Sequence, residues 1–128
     1  MIVEPSLITS MLKAQGDKGY WYIATPYSKY RAGLEKAFED ASMISAVLVL
    51  AGVRLYCPIA HTHPIAVYGN IPPRNHDIWL PLDKPFMEAA SGLLVVKMQG
   101  WDESYGIGVE IESFKSQCKP ILYTDFTK

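Results

Sequence analysis

The sequence predicts an α/β fold in which a mainly parallel sheet of four to five strands carries helices on both faces. Three observations lead there. Short apolar or aromatic runs alternate with longer segments of helical period, the pattern that right-handed β–α–β crossovers produce. Glycine or proline punctuates most of the junctions. Nearly half of the 128 residues are hydrophobic (49%), enough for one globular core, so residues 1–128 are read as a single domain.

Residues 1–19 read as a helical extension, because Leu7, Ile8, Met11 and Leu12 recur at helical spacing and Gly16 would end the helix. Tyr20 to Ala24 is compact and aromatic, and is the first core strand. Thr25-Pro26-Tyr27-Ser28 stops it, since proline cannot donate to the ladder. A long helix is expected from about Lys29 to Ala51. In its first half Leu34, Ala37, Phe38 and Ala41 face inward, opposite Glu35, Lys36, Glu39 and Asp40. Its second half, Ile44 to Leu50, is apolar nearly all round. Such a segment is usually buried on two sides, and a homodimer or larger homo-oligomer would supply the second.

Gly52 stands just past that helix, and Val53 to Cys57 reads as the second strand. Residues 58–75 read as a long irregular loop, because Pro58, Pro64, Gly69, Pro72 and Pro73 interrupt any period; a fifth strand would have to lie within residues 60–69. Pro81 and Asp83 then introduce a helix to about Ala90. On this reading Asp83 lies near the helix N-terminus, where the dipole favours a carboxylate. Ser91 to Lys97 is the third strand, and Pro120 to Thr124 the last. This is a three-layer arrangement of the Rossmann or flavodoxin-like kind. Ligands in such sheets bind beyond the carboxyl ends of the strands, where residues 25–31, the loop after the second strand and residues 100–106 would meet.

Twelve basic against thirteen acidic residues, with no basic run, argues against a nucleic-acid polymer as partner. The two cysteines, Cys57 and Cys118, read as free thiols, which suits a reducing compartment. The N-terminus lacks a secretion signal, and the longest apolar run, Ala46 to Val53, is too short to span a bilayer. A soluble cytoplasmic protein is therefore expected, with no membrane partner.

The chemistry concentrates in Gly100 to Glu110. Strand, glycine-bearing turn and helix together form a recurrent anion site, because the first amide groups of a helix lack intrahelical partners. Gly106 and Gly108 allow close approach to that backbone, and Ser104 can cap the helix or bind a phosphate. On a 3.6-residue period Glu110 joins Ile107, Ile111, Phe114 and Cys118 on one stripe, whereas Glu112 falls on the solvent side. A carboxylate drawn into an apolar stripe is either a paired structural acid or a reactive one; the residues alone leave the two level. Tyr27, Trp79 and Trp101 are loop aromatics that would suit stacking on a flat ring. His61, His63 and His76 complete no recognised zinc pattern, so no metal and no other cofactor is expected. Dinucleotide, Walker-type and nucleophile-elbow signatures are absent.

Two segments resemble a known superfamily. Tyr22-Ile23-Ala24-Thr25-Pro26-Tyr27 resembles the first strand and loop of the nucleoside 2-deoxyribosyltransferase superfamily. Ser104-Tyr105-Gly106-Ile107-Gly108-Val109-Glu110 is similar to its nucleophile segment, especially the Ser-x-Gly-x-Gly-x-Glu of the 2'-deoxynucleoside 5'-phosphate N-hydrolases. Asp83, 27 residues before Glu110, matches the spacing of the second acid. Pro26-Tyr27-Ser28, His63-Pro64-Ile65, Trp79 and Gly100-Trp101 resemble an uncharacterised branch of the superfamily.

The resemblance implies hydrolysis of the N-glycosidic bond of a (deoxy)nucleoside 5'-monophosphate. Glu110 would be the nucleophile toward the anomeric carbon, Asp83 the acid toward the leaving base, and Tyr22 would orient Glu110. Ser104, Gly106 and Gly108 would hold the 5'-phosphate. Pro26, Tyr27, Ser28 and Arg31 would line the substrate, Ser28, Lys29 and Arg31 standing in for an absent arginine-bearing phosphate loop. Base exchange by a nucleoside 2-deoxyribosyltransferase and nucleotide binding without turnover are the alternatives.

Overall fold

The computed structural model describes residues 2–127. Four strands form one parallel sheet: β1 (Trp21–Ala24), β2 (Leu55–Tyr56), β3 (Gly92–Lys97) and β4 (Ile121–Asp125), in the order β2-β1-β3-β4. Five helices surround it: α1 (Pro5–Gln15), α2 (Leu34–Leu50), α3 (Pro58–Gly69), α4 (His76–Ala89) and α5 (Tyr105–Ser116). The expected three-layer α/β architecture is present, with four strands rather than five.

Alternation along the central strands builds both layers. Trp21 and Ile23 of β1 join Leu94 and Val96 of β3 on one face, against Met11, Ala41, Ile44 and Leu48 of α1 and α2. Tyr22 and Ala24 join Leu93 and Val95 on the other, against Met87 of α4 and Ile107 and Phe114 of α5. Tyr22 pairs in register with Leu93, so both inward sets stay aligned across the sheet. The N-terminal helix belongs to this core: Met11 is fully buried, and Trp21 Nε1 donates to the Met11 carbonyl at 2.8 Å.

Residues 58–69 differ from expectation. They form a helix, neither a loop nor a fifth strand. Pro58 occupies its first turn, where a missing N–H costs nothing. Pro64 does remove one helical bond, but Pro58, Thr62, His63 and Ala66 make a buried stripe of helical period that packs toward α2. That period was hidden in the sequence because two of its four members are polar.

The fourth helix also starts earlier than Pro81. Asn75 caps it, its side chain accepting from Asp77 N at 3.0 Å, and both Pro81 and Pro85 lie inside. Asp83 is therefore a buried mid-helix residue rather than an N-terminal one, and no cap role remains for it. The second helix begins at Leu34 instead of Lys29, after Gly33. Its apolar half buries Ile44 and Leu48 on one side, while Met43, Val49 and Leu50 stay exposed. No helix among the described residues is long and apolar enough to cross a membrane.

Candidate active site

Strands β1 and β3 are neighbours whose outgoing connections lead to opposite sides of the sheet, which opens a crevice at their carboxyl ends. A cleft of about 190 Å³ lies there. Its walls come from the β1–α2 turn, from α3 and α4, and from the first turn of α5. Gly100 draws two of these walls together. Its φ of 84° is a left-handed conformation, and an added Cβ would lie 2.5 Å from the Lys29 carbonyl oxygen. The turn before α5 thus rests directly on the backbone of the turn after β1.

Glu110 projects from α5 at the cleft floor and is buried with Ile107 and Phe114, as the stripe requires, while Glu112 is exposed. Burial pushes its carboxyl up to about 8, opposed by Tyr22 and reinforced by the Asp83 charge. The Tyr22 hydroxyl is enclosed and couples electrostatically to Glu110, yet no acceptor lies within hydrogen-bond geometry of it among the described residues. We read this as a near contact and not a formed bond. Its pKa is raised, by burial first and then by Glu110, so it stays a donor.

Asp83 reaches the same cleft from α4. Burial pushes it up to about 6, less than Glu110, because the Tyr56 hydroxyl donates to Asp83 Oδ1 at 3.0 Å and His61 acts in the same direction. Tyr56 is held by stacking on Phe86, with centroids 4.0 Å apart, and by His61 Nδ1 at 3.1 Å from its hydroxyl. Two carboxyls thus share one cleft in unequal surroundings, the arrangement that separates an acid from a base.

At the start of α5, Ser104 caps the helix, its Oγ accepting from Ile107 N at 3.2 Å. Tyr105 and Gly106 belong to the first turn and line the cleft, leaving amide groups without intrahelical partners beside it. His76 at the start of α4 meets the Tyr105 ring at 4.6 Å between centroids, so two helix N-termini converge on the cleft mouth.

Of the residues singled out in the sequence, Glu110, Asp83, Ser104, Gly106, Tyr27, Ser28 and Trp79 line this cleft. Tyr22 stands behind Glu110. Pro26 is buried beside the cleft and shapes the turn. Three others lie outside its lining. Trp101 packs edge-on to Tyr123, with ring centroids 5.9 Å apart. Gly108 is exposed on the outer face of α5. Arg31 is exposed, and its backbone N–H is taken by the Gln99 side chain.

The three histidines do separate things. His61 supports Tyr56, His76 packs at a tilt against the Tyr105 ring, and His63 is buried between Tyr27 and Glu35. Among the described residues no three His, Cys, Asp or Glu side chains are grouped as a metal ion would need.

Sequence reasoning missed Tyr56, His63, Glu35 and Thr25. Tyr27 Oη lies 2.6 Å from His63 Nδ1, and His63 Nε2 lies 2.8 Å from Glu35 Oε2; Phe38 stacks on the imidazole at 4.7 Å. Those contacts fix Tyr27 at the cleft wall across 36 residues of sequence, and no local pattern signals them. No curated protein sequence matches the chain significantly. A family model does match residues 19–125, which include every side chain of the cleft, and the chain therefore belongs to the family described as a domain of unknown function, DUF1937.

Proposed function

We propose that the chain is an N-glycosidase that hydrolyses a nucleoside 5'-monophosphate to a free base and a sugar phosphate. The observation that carries this reading is the pair of unequal buried carboxyls, Glu110 and Asp83, at the floor of one cleft whose wall includes the first turn of a helix. Carboxylates suit N-glycosidic cleavage because its transition state is oxocarbenium-like, and a facing carboxylate stabilises and can trap it.

In the proposed sequence the Glu110 carboxylate attacks the anomeric carbon and the C–N bond breaks. Its electron pair leaves on the base nitrogen, which takes the proton of Asp83. Water then attacks the same carbon and gives its proton to Asp83, and Glu110 departs as the carboxylate. Tyr22 turns its hydroxyl to the Glu110 carboxylate and fixes its orientation. The first-turn amides of Tyr105 and Gly106, with Ser104, take the 5'-phosphate, and Tyr27 and Trp79 flank the base.

The acting form needs the pair's single proton on Asp83, whereas burial favours it on Glu110 in the free protein. A positive sugar beside Glu110 reverses that preference as the reaction proceeds, so the reading asks for differential stabilisation of the transition state.

The test is to incubate the pure protein with a panel of ribo- and deoxyribonucleoside monophosphates and measure released base. A second free base in the mixture detects the transferase alternative through an exchanged product. Saturable binding with no release across the panel would favour the non-catalytic nucleotide-binding alternative. Full activity in Glu110→Ala would remove the mechanism. The exposed Met43, Val49 and Leu50 of α2 support, as part of the same proposal, a homodimer or higher assembly, checked by sedimentation equilibrium.

A further inference from the structure

Thr25 follows β1 directly and lines the cleft, with 4% of its surface exposed. Its Oγ1 is buried and has no hydrogen-bond partner among the described residues. The Cys57 thiol lies near enough to be influenced by this hydroxyl, but the pair falls short of hydrogen-bond geometry, and a thiol is a weak partner in any case. A buried hydroxyl left unpaired is costly and uncommon in folded proteins. Valine has nearly the same shape and a higher preference for strands, and would fill this corner without that cost. The hydroxyl has no structural task that the surrounding residues reveal.

Its place in the cleft limits what it can meet. Thr25 and Glu110 line the same cleft. The α4 wall with Asp83 is where a leaving base would be protonated, and the first turn of α5 is where a phosphate would sit. What remains beside Glu110 is the sugar. On a sugar whose anomeric carbon faces Glu110, the hydroxyl nearest that reacting carbon is the one on the adjacent carbon. A threonine hydroxyl can both donate to it and accept from it.

We propose that Thr25 Oγ1 binds the sugar 2'-hydroxyl, and that the substrates are ribonucleoside rather than 2'-deoxyribonucleoside 5'-monophosphates. This inference rests on the glycosidase reading. It follows from the chemistry of the step as well as from position. Charge developing on the anomeric carbon polarises the neighbouring hydroxyl, so a hydrogen bond there strengthens in the transition state. A site built around a ligand hydroxyl also discriminates against the analogue lacking it, because its own polar group is then buried unpaired.

The experiment compares kcat/KM for matched ribo- and 2'-deoxyribonucleotides in the wild type, Thr25→Val and Thr25→Ser. The expected wild-type preference for the ribo form is about tenfold or more. In Thr25→Val the ratio collapses toward one as the ribo value falls, and Thr25→Ser, which keeps the hydroxyl, retains most of it. A second measurement needs no variant and no turnover: titration calorimetry of the wild type with ribose 5-phosphate and with 2-deoxyribose 5-phosphate. Tighter binding of ribose 5-phosphate is expected. Equal handling of the two sugars in both experiments, or a Thr25→Val loss that falls equally on both, would overturn the role of Thr25 while leaving the glycosidase intact. Failure of that reading would show differently, as no base release from any nucleotide, and equal calorimetric affinities would then overturn the role of Thr25 as well.

Discussion

The Tyr56 hydroxyl donates to Asp83 Oδ1 at 3.0 Å, and that bond opposes the burial that pushes the same carboxyl up to about 6. Four elements bear on this group: Tyr56 from β2, His61 from α3, Glu110 from α5 and its own helix α4. In the proposed mechanism the acting form holds one proton between Asp83 and Glu110. Below pH 6 both carboxyls are protonated, and above pH 8 both are ionised. The pH profile of kcat/KM should therefore be a bell with limbs near 6 and near 8. Tyr56→Phe removes a donor that favours the Asp83 carboxylate, so the acidic limb should move upward by a resolvable amount and the alkaline limb much less. An unmoved acidic limb would assign it to another group.

Glu110 is bought at the expense of stability. In the unfolded chain its pKa is near the ordinary 4.5, and in the fold it is about 8. Below pH 4.5 both states hold the proton and nothing is lost. Between these values the unfolded chain releases a proton that the folded one keeps, so stability falls as pH rises, by about 3–5 kcal/mol in all. Glu110→Gln cannot ionise. Thermal unfolding at pH 9 should show the variant more stable than the wild type, with the gap closing by pH 4. A constant difference across that range would show that burial does not perturb this carboxyl.

His63 and Glu35 make one contact of very unequal consequence. His63 is 6% exposed and stacks on Phe38 between α2 and α3, whereas the Glu35 side chain is 70% exposed. His63→Ala removes packing and leaves the Tyr27 hydroxyl without its partner, at a cost of about 2–4 kcal/mol. Glu35→Ala removes a solvent-screened partner and should cost under about 1 kcal/mol. Urea denaturation of both variants checks the ranking, which a similar loss from each would contradict.

The parts of the fold legible in the sequence were those with an apolar period of their own. The β1 and β3 runs, the inward Ala37 and Ala41 of α2 and the Ile107–Glu110–Phe114 stripe of α5 stand where their spacing puts them. Asp40, expected on the outer side of α2, is instead fully buried, its Oδ2 accepting from the Tyr30 hydroxyl at 2.5 Å. The α3 helix and the start of α4 were not legible, because Pro64 and Pro81 are strong local breakers inside helices that tertiary burial maintains. That error misplaced Asp83 within its helix, although the cleft still receives it. Glu110 stood out because a carboxylate in an apolar stripe is locally anomalous. Tyr56 and Thr25 did not, since a tyrosine and a threonine at strand ends are ordinary until their partners, or the lack of them, are seen in space.

Gly106 and Gly108 were indistinguishable by sequence and are distinguished by position. Both stand in the opening of α5, where glycine is a poorer helix former than alanine. Neither is required by packing: a Cβ at Gly106 would meet nothing closer than Ser104 Oγ at 3.9 Å, and one at Gly108 nothing within 4 Å. Gly106 lines the cleft, while Gly108 faces out. Alanine at either position should therefore stabilise the free protein by about 0.5 kcal/mol. Gly106→Ala should also place a methyl group where the phosphate must approach the backbone, raising KM for nucleotides tenfold or more, and Gly108→Ala should affect KM far less. Melting temperature and KM measured on the same two variants check both halves. Equal effects on KM would mean that the ligand does not approach α5 at its first turn.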